Sequence, residues 1–129
     1  MMATTASPSS PAAKPPENFL VELTGHLTEA ALTLQLGKVR ESDLLSIYKP
    51  GLIVDCRAMT GYDAQARELF TAWNARHRHR LVAVAVITEN RLWHMILATM
   101  SMASKQQIKP FSRVQDAQLW LSRLRKLPH

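Results

Sequence analysis

LIVDCRAMTGYDAQAREL, residues 52–69, begins as an unbroken apolar run, breaks at Gly61 and resumes as a helical pattern behind Asp63. Residues 52–57 read as a strand. Its Leu-Ile-Val start lacks polar alternation, which is the pattern of a strand covered on both faces. Residues 58–62 read as the connecting loop. Asp63 stands at an N-cap position, where a carboxylate can accept from the free N–H groups of a first helical turn. Ala66, Leu69, Phe70 and Trp73 then recur at helical spacing through about residue 77. A strand feeding directly into a helix is the repeating unit of α/β domains. It also sets Asp55 and Asp63 near the carboxyl end of a strand, where open α/β sheets place ligands and partners.

Upstream, NFLVELT (residues 18–24) alternates Phe19, Val21 and Leu23 with Leu20, Glu22 and Thr24, a strand pattern that Gly25 ends. Thr28 follows as an N-cap with Glu29 in the first turn. The helical pattern behind it runs over residues 28–48, with Leu32, Gln35 or Leu36, Val39, and Asp43 or Leu44 on one face. Gly37 weakens this helix by about 1 kcal/mol relative to alanine and is read as a close-packing position. Downstream, LVAVAVI (residues 81–87) is β-branched and uncharged, the profile of a central strand. A turn at residues 88–90 leads to a helix over 91–103. Residues 107–111 make a short last strand, and Pro110 near its end suits an edge. Ser112 or Asp116 opens a final helix with Ala117, Trp120, Leu121 and Leu124 as its core face. The order β-α-β-α-β-α-β-α predicts an α/β fold: a small, mainly parallel sheet of about four strands with helices packed on it. The first strand is expected to pair antiparallel at or near one edge.

Composition narrows the class. Of 129 residues, 47% are hydrophobic, which suits a globular chain. One domain is expected over residues 18–127. Residues 1–17 are rich in Ala, Ser, Thr and Pro and cannot bury enough surface to offset the entropy of ordering, so they read as a disordered tail. Cys56 is the lone cysteine, read as a small core residue, and a chain without a cysteine pair fits a cytoplasmic home. No signal-type apolar region follows the start, and no apolar run approaches the ~20 residues of a membrane span. The net charge is +6. The basic clusters at residues 76–80 and 123–126 coincide with helix ends, where the macrodipole favours cations. With no accompanying motif, no specific nucleic acid is expected as a partner.

RLWHMILATMSMAS, residues 91–104, is apolar nearly all round. Leu92, Ile96, Thr99 and Ala103 share one face, Trp93, Leu97 and Met100 a second, and Met95 and Met102 a third. One sheet cannot satisfy every face, and methionine adapts to varied neighbours. Three readings stay open: a helix tucked under its neighbours, a dimer interface, or the wall of an apolar pocket. The residues proposed for such an apolar ligand or dimer surface are Leu92, Trp93, Met95, Ile96, Met100 and Met102. A ligand cavity would be lined by Leu92, Trp93, Met95, Ile96 and Met100.

Asp55 and Asp63 could work as an acid–base pair, but a capping Asp63 and a loop-bonding Asp55 account for them more simply. His77 and His79, inside Arg-His-Arg-His-Arg, read as a solvated helix end, since flanking cations oppose a metal. His94 reads as partly buried among apolar neighbours, and His26 as structural or exposed. No catalytic residue, cofactor or metal is assigned. An enzyme would need a polar cleft joining Asp55 or Asp63 to a histidine.

Across residues 19–124 the chain resembles the SpoIIAA-like branch of the STAS superfamily, a fold also compared with lipid-transfer domains of the CRAL-TRIO type. The carriers are GHLTEAAL, LIVDCRAMTGYDAQA, LVAVAVITENRLW and IKPFSRVQDAQLWL. In STAS anti-sigma-factor antagonists the matching helix start reads Asp-Ser-Ser-Gly, and its second serine is phosphorylated. Asp55 matches the strand-end aspartate and Asp63 the motif aspartate. Ala64 and Gln65 stand in place of the serines, and Ala66 replaces the glycine. Gln65 has no hydroxyl, and Thr60, the nearest hydroxyl in the loop, is not at the matched position. The resemblance therefore implies a non-catalytic regulatory or protein-interaction domain without that phosphoacceptor, using a partner loop of Asp55, Thr60, Asp63 and Gln65. Its partner would be another protein or a second copy in a homodimer. For the SpoIIAA-like branch it also implies a helix able to move and open an apolar cavity, hence the alternative of a carrier or sensor of an apolar small molecule or lipid.

Overall fold

A computed structural model describes residues 17–40, 44 and 49–126. The elements alternate: β1 (Asn18–Leu27), α1 (Glu29–Leu36), β2 (Gly51–Tyr62), α2 (Ala64–His77), β3 (Val84–Ile87), α3 (Leu92–Ser104), β4 (Ile108–Phe111) and α4 (Val114–Lys126). The four strands form one sheet in the order β1-β2-β3-β4, and every pair is parallel. Residues 1–16 of the expected tail, and residues 41–43 and 45–48 of the helix read over 28–48, lie outside the described residues; α1 itself stops at Leu36, residues 37–40 leave the helix, and Val39 and Leu44 are buried.

Alternation along the central strands sorts the core onto two faces. Leu52, Val54 and Cys56 of β2, with Val84 and Val86 of β3, point toward α1, α2 and α3. Ile53, Ala85 and Ile87 point the other way, onto Ala117 and Leu121 of α4. Both faces are covered, as the apolar run in β2 requires. The crossovers are capped locally. Thr28 Oγ1 accepts the Ala31 N–H at 3.1 Å at the start of α1. Arg125 Nη1 donates to the Glu17 carbonyl at 3.0 Å and to Asn18 Oδ1 at 2.8 Å, tying the end of α4 to the start of β1.

Several expectations need correction. β1 runs parallel to β2, not antiparallel. An antiparallel neighbour would need only a short turn, whereas the chain between them is long enough for a helical crossover. Gly25 does not end β1. It takes φ 66° at one of two register shifts and the strand continues to Leu27, because a glycine in the left-handed region lets a bulge form without breaking the ladder. Residues 58–62 are consequently not a loop, since Ala58 to Tyr62 keep pairing with β1. Gly37 is exposed and ends α1 instead of serving a close contact. Pro110 does lie in β4, at the sheet edge.

Candidate functional site

The chain makes α3 a distinct helix with caps of its own. Thr88 Oγ1 accepts the Asn90 N–H at 3.1 Å, and Asn90 Oδ1 accepts the Leu92 N–H at 3.0 Å. At the other end Lys105 turns left-handed at φ 59°. Ser101 Oγ there donates to the Gln106 carbonyl at 2.6 Å and accepts the Ile108 N–H at 3.2 Å, binding the C-terminal half of α3 to β4. The buried Ser104 Oγ donates to the Met100 carbonyl at 2.7 Å.

Between these ends the six apolar candidates divide. Met100 is buried beside Leu97, and Trp93 and Ile96 are half-buried against the same core. Leu92, Met95 and Met102 are 80%, 79% and 81% exposed. Their i, i+3, i+10 spacing sets them on one arc of the helix. Two hollows flank this division. Outside, a groove of about 580 Å³ runs between α2 and α3, with Thr71, Ala72 and Ala75 on one wall and Met95, Thr99 and Ala103 on the other. Beneath α3 lies an apolar cavity of about 70 Å³, walled by Leu23, Val54, Cys56, Phe70, Trp93 and Met100. The Tyr62 ring meets Trp93 edge-on, 5.7 Å between centroids and 84° between planes. Of the residues expected around a cavity, Trp93, Ile96 and Met100 line it; Leu92 and Met95 face outward.

The four loop candidates do not converge on one site. Asp55 is clasped by Arg57: Nη2 donates to Oδ2 at 2.7 Å and Nε to Oδ1 at 3.0 Å, while the Arg57 N–H adds a bond to Oδ1 at 3.1 Å. Hydrogen bonding from the Arg57 side chain holds the Asp55 carboxyl below the usual carboxylate value. Asp63 occupies the N-cap position of α2 but makes no side-chain cap bond. Its Oδ1 instead accepts from His26 Nε2 at 2.7 Å, and the Asp63 carbonyl receives the Ala66 and Arg67 N–H groups. Thr60 and Gln65 are exposed. The two carboxylates are therefore engaged separately, one by Arg57 and one by His26, and the expected Asp63 cap is replaced by a tie across the end of β1. That His26–Asp63 pair is half-exposed on both sides, and neither residue lines the groove or the cavity.

Two histidines depart from expectation. His77 is not a solvated terminus: it is 4% exposed and its ring packs at a tilt against Trp73, 4.6 Å between centroids and 56° between planes. It continues the buried side of α2 formed by Ala66, Phe70 and Trp73, whereas His79, beyond the helix end, is exposed. His94 is exposed, not partly buried, because it projects from the outer side of α3. His26, read as structural or exposed, is both. Sequence reading missed its pairing with Asp63; it also missed Arg57 and the small residues Thr71, Ala72 and Ala75. The last group had a visible signal: these residues sit at helical spacing on the side of α2 opposite its apolar stripe.

The model of the SpoIIAA-like family matches residues 19–122 of the chain. No curated protein matches it. Among solved structures, the fold is similar to that of an uncharacterized protein of the DUF3478 family with a SpoIIAA-like fold from Shewanella loihica PV-4. The two are 21% identical over 79% of this chain and 82% of that chain, with a TM-score of 0.62. At that identity the likeness concerns the fold.

Proposed function

We propose that the chain, which belongs to the SpoIIAA-like family, is a non-catalytic cytoplasmic interaction domain that binds a protein along α3. The observation that carries this reading is the exposure of Leu92, Met95 and Met102, about four-fifths each, on one arc of one helix. Single exposed apolar residues are ordinary, but a contiguous stripe beside a groove marks a contact surface. Covering three such side chains yields at most about 1.5–3 kcal/mol apiece. Association costs ~4–15 kcal/mol before any surplus appears. The three together give about 4.5–9 kcal/mol, which falls within that cost and leaves little surplus, so in this reading the partner also fills the adjoining groove. The loop of Asp55, Thr60, Asp63 and Gln65 contributes flanking contacts in this reading. With Gln65 where a phosphoserine would stand, the domain is not switched by phosphorylation at that position.

The test compares the wild-type chain with the Leu92→Ser/Met95→Ser/Met102→Ser variant, both checked for equal thermal stability, in affinity capture from cell extract and in sedimentation. The reading expects a partner or a self-association that the variant loses. Equal recovery by both proteins, with the wild type monomeric at high concentration, would remove it.

A second reading, a carrier of apolar small molecules, rests on the largely apolar cavity under Trp93, whose lining also includes Arg67. Its volume of about 70 Å³ is well below the ~150 Å³ that admits benzene in an engineered cavity. A lipid would thus require α3 to lift. Native mass spectrometry of the purified protein would reveal retained ligand mass if this reading holds.

A further inference from the structure

We propose that the groove between α2 and α3 takes an acidic amphipathic helix from a partner protein, in preference to a second copy of this chain or a lipid surface. The inference rests on the interaction reading above and names the chemistry of its partner.

The shape selects a helix. The groove is bounded by two helices of 14 and 13 residues, each roughly 20 Å long at 1.5 Å per residue. Beyond Arg67 and Glu68 at its leading end, the α2 wall is made of small residues, Thr71, Ala72 and Ala75, so a third helix can approach closely there. Methionine on the α3 wall adapts to the side chains of the incoming element. Helix-in-groove binding uses apolar anchors at i, i+3, i+4 and i+7 laid into such a channel. A membrane surface would cover the outward stripe but leave the concave channel behind it unfilled.

The charge selects the partner. Arg67 and Glu68 line the groove, and Arg76 follows Glu68 and Ala72 on the same i, i+4 ridge of α2. Arg91 and Lys105 bound α3 at its two ends, both exposed. In the channel wall Arg67 and Glu68 offset each other, and beyond it α2 and the bounds of α3 add three cations, Arg76, Arg91 and Lys105, against the exposed carboxylate of Glu89 two residues before Arg91. Asp63 at the foot of α2 is engaged by His26. A two-fold pairing brings the same patch against itself, so a second copy would set this cationic surround against an identical one, on chains of net charge +6 each. An apolar helix flanked by Asp and Glu finds complementary charge in the same place.

The test is a selection. The full chain is the bait for a displayed library of 16-residue helices with a fixed apolar stripe and a polar face drawn evenly from Glu, Gln and Lys. Binders are counter-selected on Ala72→Trp, a substitution at an exposed groove position that fills the channel without entering the core. Groove-dependent winners should be net negative. Exchanging Glu for Lys in a winner should weaken binding at least tenfold, and Arg67→Glu/Arg91→Glu should reverse that preference. Neutral or basic winners, or no winners that Ala72→Trp excludes, would overturn the proposal. So would a wild-type dimer that Ala72→Trp renders monomeric, or binding to phosphatidylglycerol vesicles that Ala72→Trp abolishes. If the helices fail while the serine variant still loses partners in affinity capture, the interaction reading stands and only the acidic-helix assignment falls.

Discussion

Asp55 shows how little of a side chain's role is visible in its position. Its place at the end of the β2 apolar run suggested a ligand-facing carboxylate, yet Arg57, two residues on and pointing to the same side of the sheet, closes over it. Because its folded pKa lies below the ordinary value of 3.8, the ionised form is favoured by folding. That contribution is present above about pH 4 and is lost as the pH falls further. Arg57→Met should move the Asp55 midpoint upward in an NMR titration of its carboxyl carbon. Cys56 has the opposite sign. Burial pushes its thiol up to about 12 from 9.0, so the neutral form is stabilised and the contribution fades between about pH 9 and pH 12. At pH 8 the native protein should leave a thiol reagent unconsumed, and unfolding in denaturant should release one equivalent. Gly51 is a steric case. A Cβ there would lie 2.6 Å from Asn18 Oδ1 and 2.7 Å from a methyl of the fully buried Leu121. Asn18 is itself held by Arg125. Gly51→Ala should therefore cost about 1–3 kcal/mol in chemical denaturation. Of the residue pairs that matter, Asp55–Arg57 was within reach of local reading. His26–Asp63, 37 positions apart, was not, since no short-range pattern encodes it.

At the scale of elements, apolar runs carried the information. β3, α2, α3, β4 and α4 stand where period and punctuation placed them, within a few residues. β2 was legible only while its side chains were apolar. Beyond Asp55 the strand persists through main-chain pairing to the bulged end of β1, and hydrogen bonds between backbones leave no trace in side-chain pattern. For α3 the excess of apolar residues was readable, but not which of them face outward. The division predicts two classes of substitution. Leu92→Lys, Met95→Lys and Met102→Lys should each change unfolding free energy by less than about 0.5 kcal/mol. Leu97→Ala and Met100→Ala should each cost about 2–5 kcal/mol. Thermal or urea unfolding of the five variants checks both halves. A large loss in the lysine set would mean that the outer arc is covered within the subunit.

For the molecule as a whole, alternation of strand and helix was enough to give the α/β architecture, while strand direction at the edge and the sharing of helices between faces depended on contacts far apart in the chain. Among the described residues no helix is long and apolar enough to cross a membrane. Three helices lie over one face of the sheet and α4 over the other, and the cavity lies on the three-helix face, beneath α3. The serine tie at the end of α3 has a consequence for how this layer breathes. Ser101 fastens residues 101–108 to the edge strand, whereas the leading turn rests on a ring-against-ring contact between Tyr62 and Trp93 and on a short asparagine cap. Deuterium uptake should fall steeply along this one rod, quick near Trp93 and slow past Met100, and Ser101→Ala should flatten that slope.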